Sequence, residues 1–66
     1  MSKDIEELKS MQQEFQKCAD ILGDAIKLTE ELQNETDEER IKELNDQVEV
    51  KAGLFLMQMI KISQIK

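Results

Sequence analysis

Hydrophobic residues recur at steps of three and four along almost the whole chain, which is the period of one face of an α-helix. In the first half this stripe consists of Ile5, Leu8, Met11, Phe15, Cys18, Leu22, Ala25, Ile26 and Leu32. In the second half it consists of Ile41, Leu44, Val48, Ala52, Phe55, Met59 and Ile62. The pattern therefore predicts two long amphipathic helices.

The segment between the two stripes, QNETDEER, carries the signals of a helix end followed by a helix start. Asn34 can adopt the left-handed conformation that often closes a helix. Thr36 and Glu39 have the spacing of a capping box, in which each side chain accepts from the other residue's backbone N–H. The sequence predicts a single domain with a helix at about residues 3–33, a turn at about 34–36 and a helix at about 37–65.

A connection of three or four residues makes two helices antiparallel neighbours. The two stripes then meet along their length, in the pairs Leu32–Ile41, Ala25–Val48, Leu22–Ala52, Phe15–Met59 and Met11–Ile62. The predicted fold class is all-α, an antiparallel two-helix hairpin, because helical period, turn signals and register agree.

One hairpin does not cover every apolar residue. The stretch GLFLMQMIKI, residues 53–62, is apolar nearly all round. The residues left outside the stripes are Val50, Leu54, Leu56, Met57 and Ile60 in the second helix and Ile21 and Leu28 in the first. Exposed apolar patches usually mark interfaces. We therefore expect self-association, as a homodimer that forms a four-helix bundle.

Composition supports this expectation. The chain has 66 residues, one cysteine and no histidine, so it can form no intramolecular disulfide and no zinc site of the Cys/His type. We expect no metal and no cofactor. A chain this short buries only about 60% of its unfolded surface and gains from association. Cys18, between Phe15 and Leu22 in the stripe, is expected to act as a small buried hydrophobe.

Charge is distributed unevenly. The chain carries a net charge of −6, with nine acids against Arg40 and Lys42 between residues 30 and 49, and three lysines without acids from residue 50 onward. The acidic patch at the turn comprises Glu35, Asp37, Glu38, Glu39 and Glu43. It is either a solvated turn that keeps the protein soluble, or a surface that steers a basic partner or mimics a nucleic acid. The negative charge argues against non-specific binding to phosphate backbones.

The chain lacks the residues that several classes of function require. Without histidine or tyrosine, acid–base catalysis would depend on carboxylates or lysines on solvent faces, so we expect no enzyme. The longest apolar run is about ten residues, short of the ~20 of a membrane-spanning helix. The charged opening MSKDIEELKS is unlike a secretory signal, and the unpaired cysteine fits a reducing compartment. The expected location is cytoplasmic, with no membrane partner.

The expected layout, a short helical hairpin that pairs with itself, resembles the plasmid copy-number protein Rop, which dimerises into a four-helix bundle and binds paired RNA loops. The resemblance covers most of the chain but includes no shared motif. RNA binding of that kind needs a basic and aromatic strip on one helix pair, whereas the lysines of the first helix are spread around it, at Lys3, Lys9, Lys17 and Lys27.

The Lys-, Glu- and Ile-rich composition also resembles that of small accessory proteins of phages and mobile elements of low-GC bacteria. That resemblance implies a regulator or inhibitor of a larger protein, or an assembly accessory. The sequence thus predicts a protein-binding module, an inhibitor or adaptor that acts through the apolar C-terminal helix and through self-association. The alternative is a nucleic-acid-linked module, either an RNA-binding bundle or an acidic mimic, although the negative charge disfavours direct binding of nucleic acid.

Overall fold

The computed structural model describes residues 2–64, which form two helices packed against each other. Helix α1 is Ser2–Asn34 and helix α2 is Glu38–Ser63. The predicted all-α hairpin is therefore confirmed for this part of the chain. Its Cα atoms span 55 × 17 × 10 Å. A body only one helix thick has no interior beyond the line along which its two helices meet. Ile65, which the sequence places in the second helix, lies outside the described residues.

The end of α1 differs from the expected left-handed cap. No non-glycine residue in the described range has a positive φ, so the prediction for Asn34 is wrong. The Asn34 side-chain amide instead donates to the carbonyl of Glu30 at 3.2 Å, and the Glu35 N–H donates to the carbonyl of Leu32 at 3.3 Å. These bonds satisfy carbonyls that the end of the helix leaves free.

The start of α2 is capped by a different residue from the one expected. Asp37, with φ −76° and ψ 119°, is the N-cap, and its Oδ1 accepts from the Glu39 N–H at 3.2 Å. The preceding Glu35 Oε1 accepts from the N–H groups of Thr36 and Asp37, each at 3.1 Å. The predicted Thr36–Glu39 capping box is therefore wrong. The carboxylates that follow the cap suit the positive end of the helix dipole.

The side chains between the helices form a single line that we call the seam. On α1 it comprises Met11, Glu14, Cys18, Ile21, Ala25, Leu28 and Leu32, and on α2 it comprises Ile41, Leu44, Val48, Lys51, Phe55, Gln58 and Ile62. All are at least partly buried, but in the described part of the chain only Leu44, 0% exposed, and Cys18, 7% exposed, are fully so. The seam is the whole core of the hairpin.

The predicted stripe on α1 is rotated relative to the observed seam. Ile21 and Leu28, expected outside the helix contact, are partly buried in it. Phe15 and Leu22, expected inside it, are 50% and 49% exposed. The expectation that an isolated hairpin leaves Ile21 and Leu28 in water is therefore wrong.

On α2 the seam includes two polar residues in place of two apolar ones. Lys51 and Gln58 are partly buried against α1, whereas Ala52 and Met59 lie beside the seam and are exposed. The two polar residues have polar partners on α1, which is why their burial is tolerated. A search for apolar residues at helical spacing passes over such positions.

Candidate functional site

Ion pairs connect the helices along one side of the hairpin, which we call the polar face. Arg40 Nη2 lies 3.4 Å from Glu31 Oε2, and Lys51 Nζ lies 3.1 Å from Asp24 Oδ2. Farther from the turn, Lys61 Nζ lies 3.4 Å from a carboxylate oxygen of α1. Exposed pairs of this kind contribute about 0–1 kcal/mol each, so they fix the relative position of the helices more than they stabilise them.

Glu14 and Gln58 form the closest polar contact within the seam. Gln58 Nε2 donates to Glu14 Oε2 at 2.6 Å and to the Glu14 carbonyl at 3.0 Å. The Glu14 side chain, 13% exposed, also pairs with Lys17 at 3.2 Å and with Lys61 at 3.4 Å. The hydrogen bond from Gln58, then that from Lys17, and the charges of both lysines hold the pKa of Glu14 below its ordinary value. A polar pair at a seam position specifies register, because any other alignment leaves it unpaired.

The lowered pKa of Glu14 predicts an acid-sensitive contribution to stability. The unfolded chain binds this proton more tightly, so Glu14 stabilises the fold fully above its ordinary pKa of 4.5 and loses that effect as the pH falls through the folded-state value. We expect the free energy of unfolding of Glu14→Gln, measured with urea, to fall less below that pH than that of the wild type. Glu7→Gln, at an exposed position of α1, should follow the wild type. Identical curves for Glu14→Gln and wild type would contradict the assignment.

The opposite side of the hairpin is apolar. There α1 and α2 line an open groove of about 310 Å³, whose walls include Leu22 and Ala25 on α1 and Ala52 and Leu56 on α2. The helical period brings four more large residues of α1, and Met59 of α2, to this side. We call this surface the apolar face: Ile5, Leu8, Phe15, Leu22, Ile26, Ala52, Leu56 and Met59. Its seven large side chains are 43–65% exposed.

A second, smaller apolar surface lies on α2 toward the polar face. It consists of Val50, Leu54 and Met57, which are 61%, 42% and 67% exposed, and we call it the α2 patch. Ile60, 58% exposed, lies on the side of α2 directed away from α1.

The apolar residues that the sequence predicted to mediate association therefore lie in different parts of the structure. Leu56 belongs to the apolar face, and Val50, Leu54 and Met57 form the α2 patch. Ile60 belongs to neither surface, while Ile21 and Leu28 are in the seam. The apolar face could not be predicted from the sequence, because the residues of α1 that form it were expected to contact α2.

The acidic patch is a mixture of structural and exposed carboxylates. Glu35 and Asp37 accept backbone hydrogen bonds in the turn, and Glu43 Oε2 accepts from Arg40 Nη1 at 3.1 Å. Glu38 and Glu39 are exposed in the first turn of α2. Removing charge from Glu35 or Asp37 therefore alters the turn as well as the surface potential.

Cys18 and the acidic side chains are the possible metal ligands of this chain. Cys18 Sγ lies 3.7 Å from Met59 Sδ and is buried in the seam. Within residues 2–64, no cluster of three or more cysteine or carboxylate side chains has the geometry to hold a metal ion. No helix in that range is both long enough and apolar enough to span a membrane.

No known protein family, no curated protein and no solved structure matches this chain. What the protein does must therefore be inferred from its own surfaces, of which the apolar face, the α2 patch and the acidic patch are the candidates.

Proposed function

We propose that this protein is a non-enzymatic binding module that self-associates as a homodimer, forming a four-helix bundle, and binds another protein through α2. The first part of the proposal concerns the apolar face and the second concerns the α2 patch. In this proposal the protein acts by occupying a surface of a larger partner, as an inhibitor, an adaptor or an assembly accessory. Its cytoplasmic location and its origin in a phage or mobile element stay predictions from the sequence.

The observation that carries the proposal is the surface that the hairpin leaves exposed. The chain has an accessible surface of 5535 Å². That is about 1200 Å² more than the roughly 4300 Å² expected of a compact monomer of 7.7 kDa. In the described part of the chain, eleven large aliphatic and aromatic side chains are 42–67% exposed. Covering such side chains contributes about 25 cal/mol per Å², which favours an associated state.

A protein partner for α2 is supported by the composition of the α2 patch. One valine, one leucine and one methionine form an apolar strip, in which the flexible methionine side chain can adapt to a partner's helix or groove. Lys61 lies at its edge and the acidic turn lies at the other end of α2. These charges favour a partner that presents an apolar contact flanked by basic residues on the turn side.

Self-association is tested by sedimentation over a range of concentrations. We expect the wild-type chain to sediment as a dimer at micromolar concentration, and to lose helical structure on dilution as it dissociates. A stable, cooperatively folded monomer at micromolar concentration would exclude this part of the proposal.

Binding to another protein is tested by capture from a cell lysate followed by titration of the purified partner. Leu54→Glu combined with Met57→Glu should reduce partner binding at least 100-fold, because two charges enter an apolar contact. Ser10→Glu combined with Gln13→Glu adds the same charge at exposed positions of α1 and should leave binding unchanged. Equal loss with both variants would point to charge alone, and no loss with either would rule out the α2 patch.

The acidic-mimic alternative gives a different outcome in the same titration. Neutralising Glu38 and Glu39 to glutamine would then abolish binding, and added salt would weaken it steeply. These two positions are chosen because Glu35 and Asp37 hold the turn. Under the proposal, their neutralisation changes the association rate and leaves most of the affinity intact.

A further inference from the structure

The large side chains of the apolar face on α1 are arranged symmetrically about Phe15. Leu8 and Leu22 lie seven residues to either side of it, and Ile5 and Ile26 lie ten and eleven residues away. All five are exposed, from 49% for Leu22 to 65% for Leu8. A stripe with this symmetry matches a second copy of itself that runs in the opposite direction, as a two-fold interface requires.

We infer that a second copy of the chain covers the apolar face, with a two-fold axis crossing α1 at Phe15 and with the two turns at opposite ends of the dimer. This inference rests on the self-association proposed above, and it adds the face and the orientation. Phe15 then meets Phe15 of the second copy, and Leu8 meets Leu22. Ile5 meets Ile26 at either end of the shared surface.

The register of the hairpin places the same axis on α2. Met59 Sδ lies 3.7 Å from Cys18 Sγ, and the neighbouring Gln58 bonds Glu14 at 2.6 Å, so Met59 is level with Phe15. Met59 is 43% exposed on the apolar face. One axis through Phe15 and Met59 therefore serves both helices. Most of the contact is between α1 and α1, and α2 meets α2 only near Met59, because α2 ends at Ser63.

The groove of the apolar face supports this orientation. It is open because Ala25 and Ala52 are small, and its volume is about 310 Å³. A cavity of about 150 Å³ accommodates a benzene ring, so the groove has room for a leucine side chain. With the turns at opposite ends, Leu8 of the second copy lies opposite Leu22 and enters the groove.

The other two-fold arrangement has both turns at the same end and leaves the groove unfilled. Each groove then lies level with the groove of the second copy, so that two concave surfaces face each other. Unfilled apolar volume destabilises an interface much as a cavity destabilises a core. Shape therefore favours opposite turns.

Charge favours the same arrangement. Residues 30–49 at the turn end carry nine acids and two basic residues, whereas the part of α2 from residue 50 onward carries lysines and no acids. Turns at the same end would bring two strongly acidic surfaces together. Turns at opposite ends place the two acidic surfaces at opposite ends of the dimer, so this repulsion, which is strongest at low salt, is avoided.

The orientation is tested by measuring the distance between spin labels in the dimer. A label at Thr36→Cys lies in the turn, 21 residues from Phe15. At about 1.5 Å per residue the two labels are expected to be roughly 60 Å apart. Turns at the same end would place them within about 30 Å, since packed helices lie 8–10 Å apart. Cys18 is buried, so brief labelling under native conditions modifies the introduced cysteine, and each variant is repeated with Cys18→Ala.

A label at Gln16→Cys, exposed and next to the proposed axis, is the matched control. It should give a short distance, below about 25 Å, in either orientation because it is near the axis and helices pack at about 8–10 Å. A short distance from Gln16 with a long one from Thr36 supports the inference. Short distances from both overturn it while leaving self-association intact. No dipolar signal from either label means that no dimer forms, which contradicts the proposed self-association itself.

Discussion

Leu44→Ala is expected to lower the free energy of unfolding by about 3 kcal/mol, within the 2–5 kcal/mol typical of a large-to-small change in a core. Leu44 is 0% exposed, and it lies in the seam close to the turn that joins α1 and α2. In a chain whose seam is only one side chain wide, no neighbouring layer can move in to fill the space. The loss is therefore expected to be a large share of the total stability. Urea unfolding at fixed protein concentration measures it.

Ile60→Ala is the matched control, because it also shortens an aliphatic side chain of α2 but at a position 58% exposed and outside both apolar surfaces. Its effect is expected to stay within about 0.5 kcal/mol, as for most surface substitutions. If both variants lose the same amount, Leu44 has no special place in the fold. Because association shifts apparent stability by mass action, both are compared with the wild type at several concentrations.

The hairpin itself could be predicted from the sequence because its signals are local. Two stripes of helical period joined by a polar segment leave few alternatives, and the short connection requires antiparallel neighbours. The details of the turn could not be predicted as readily. Thr36 and Asp37 are both good N-caps, and the choice between them depended on Glu35, whose carboxylate takes up two N–H groups at the turn.

The rotation of the seam was missed for a different physical reason. Glu14, Lys51 and Gln58 occupy seam positions because each has a polar partner across the helix contact. A single sequence does not show such pairing. The predicted stripes therefore contain the neighbouring apolar residues in place of these three polar ones. The apolar face follows from this correction: Phe15 and Leu22 are free of the seam and face outward together with Leu8.

The candidate surfaces could be predicted only in part from the sequence. Excess apolar residues were evident on α2, but which of them share a surface depends on how each helix is turned toward the other. Leu56 and Met57 are adjacent in sequence, yet the helical period puts them on different sides of the hairpin. The structure therefore allows two binding events to be assigned to two surfaces, where the sequence offered one undivided set.

Phe15→Glu is expected to weaken the dimer at least 100-fold in Kd, measured by sedimentation equilibrium, while Met57→Glu leaves it unchanged. Phe15 is 50% exposed in the hairpin and, in the proposed dimer, lies against itself. The substitution removes apolar contact from both copies and places two carboxylates near one axis. Burying a Phe side chain contributes about 1.5–3 kcal/mol. Half of that from each copy sums to about 1.5–3 kcal/mol, and the repulsion between the two carboxylates brings the loss to about the 2.8 kcal/mol that corresponds to 100-fold.

Met57→Glu is the matched variant because it adds the same charge at a methionine that is 67% exposed in the α2 patch. It should abolish binding of a protein partner and leave dimer formation intact. Phe15→Glu should weaken the dimer and leave partner binding intact, unless the partner binds only the dimer. Dissociation caused by Met57→Glu and not by Phe15→Glu would move the self-association surface to the α2 patch. Both side chains are exposed in the hairpin, so neither substitution alters the seam. A change in oligomeric state therefore originates at the substituted surface.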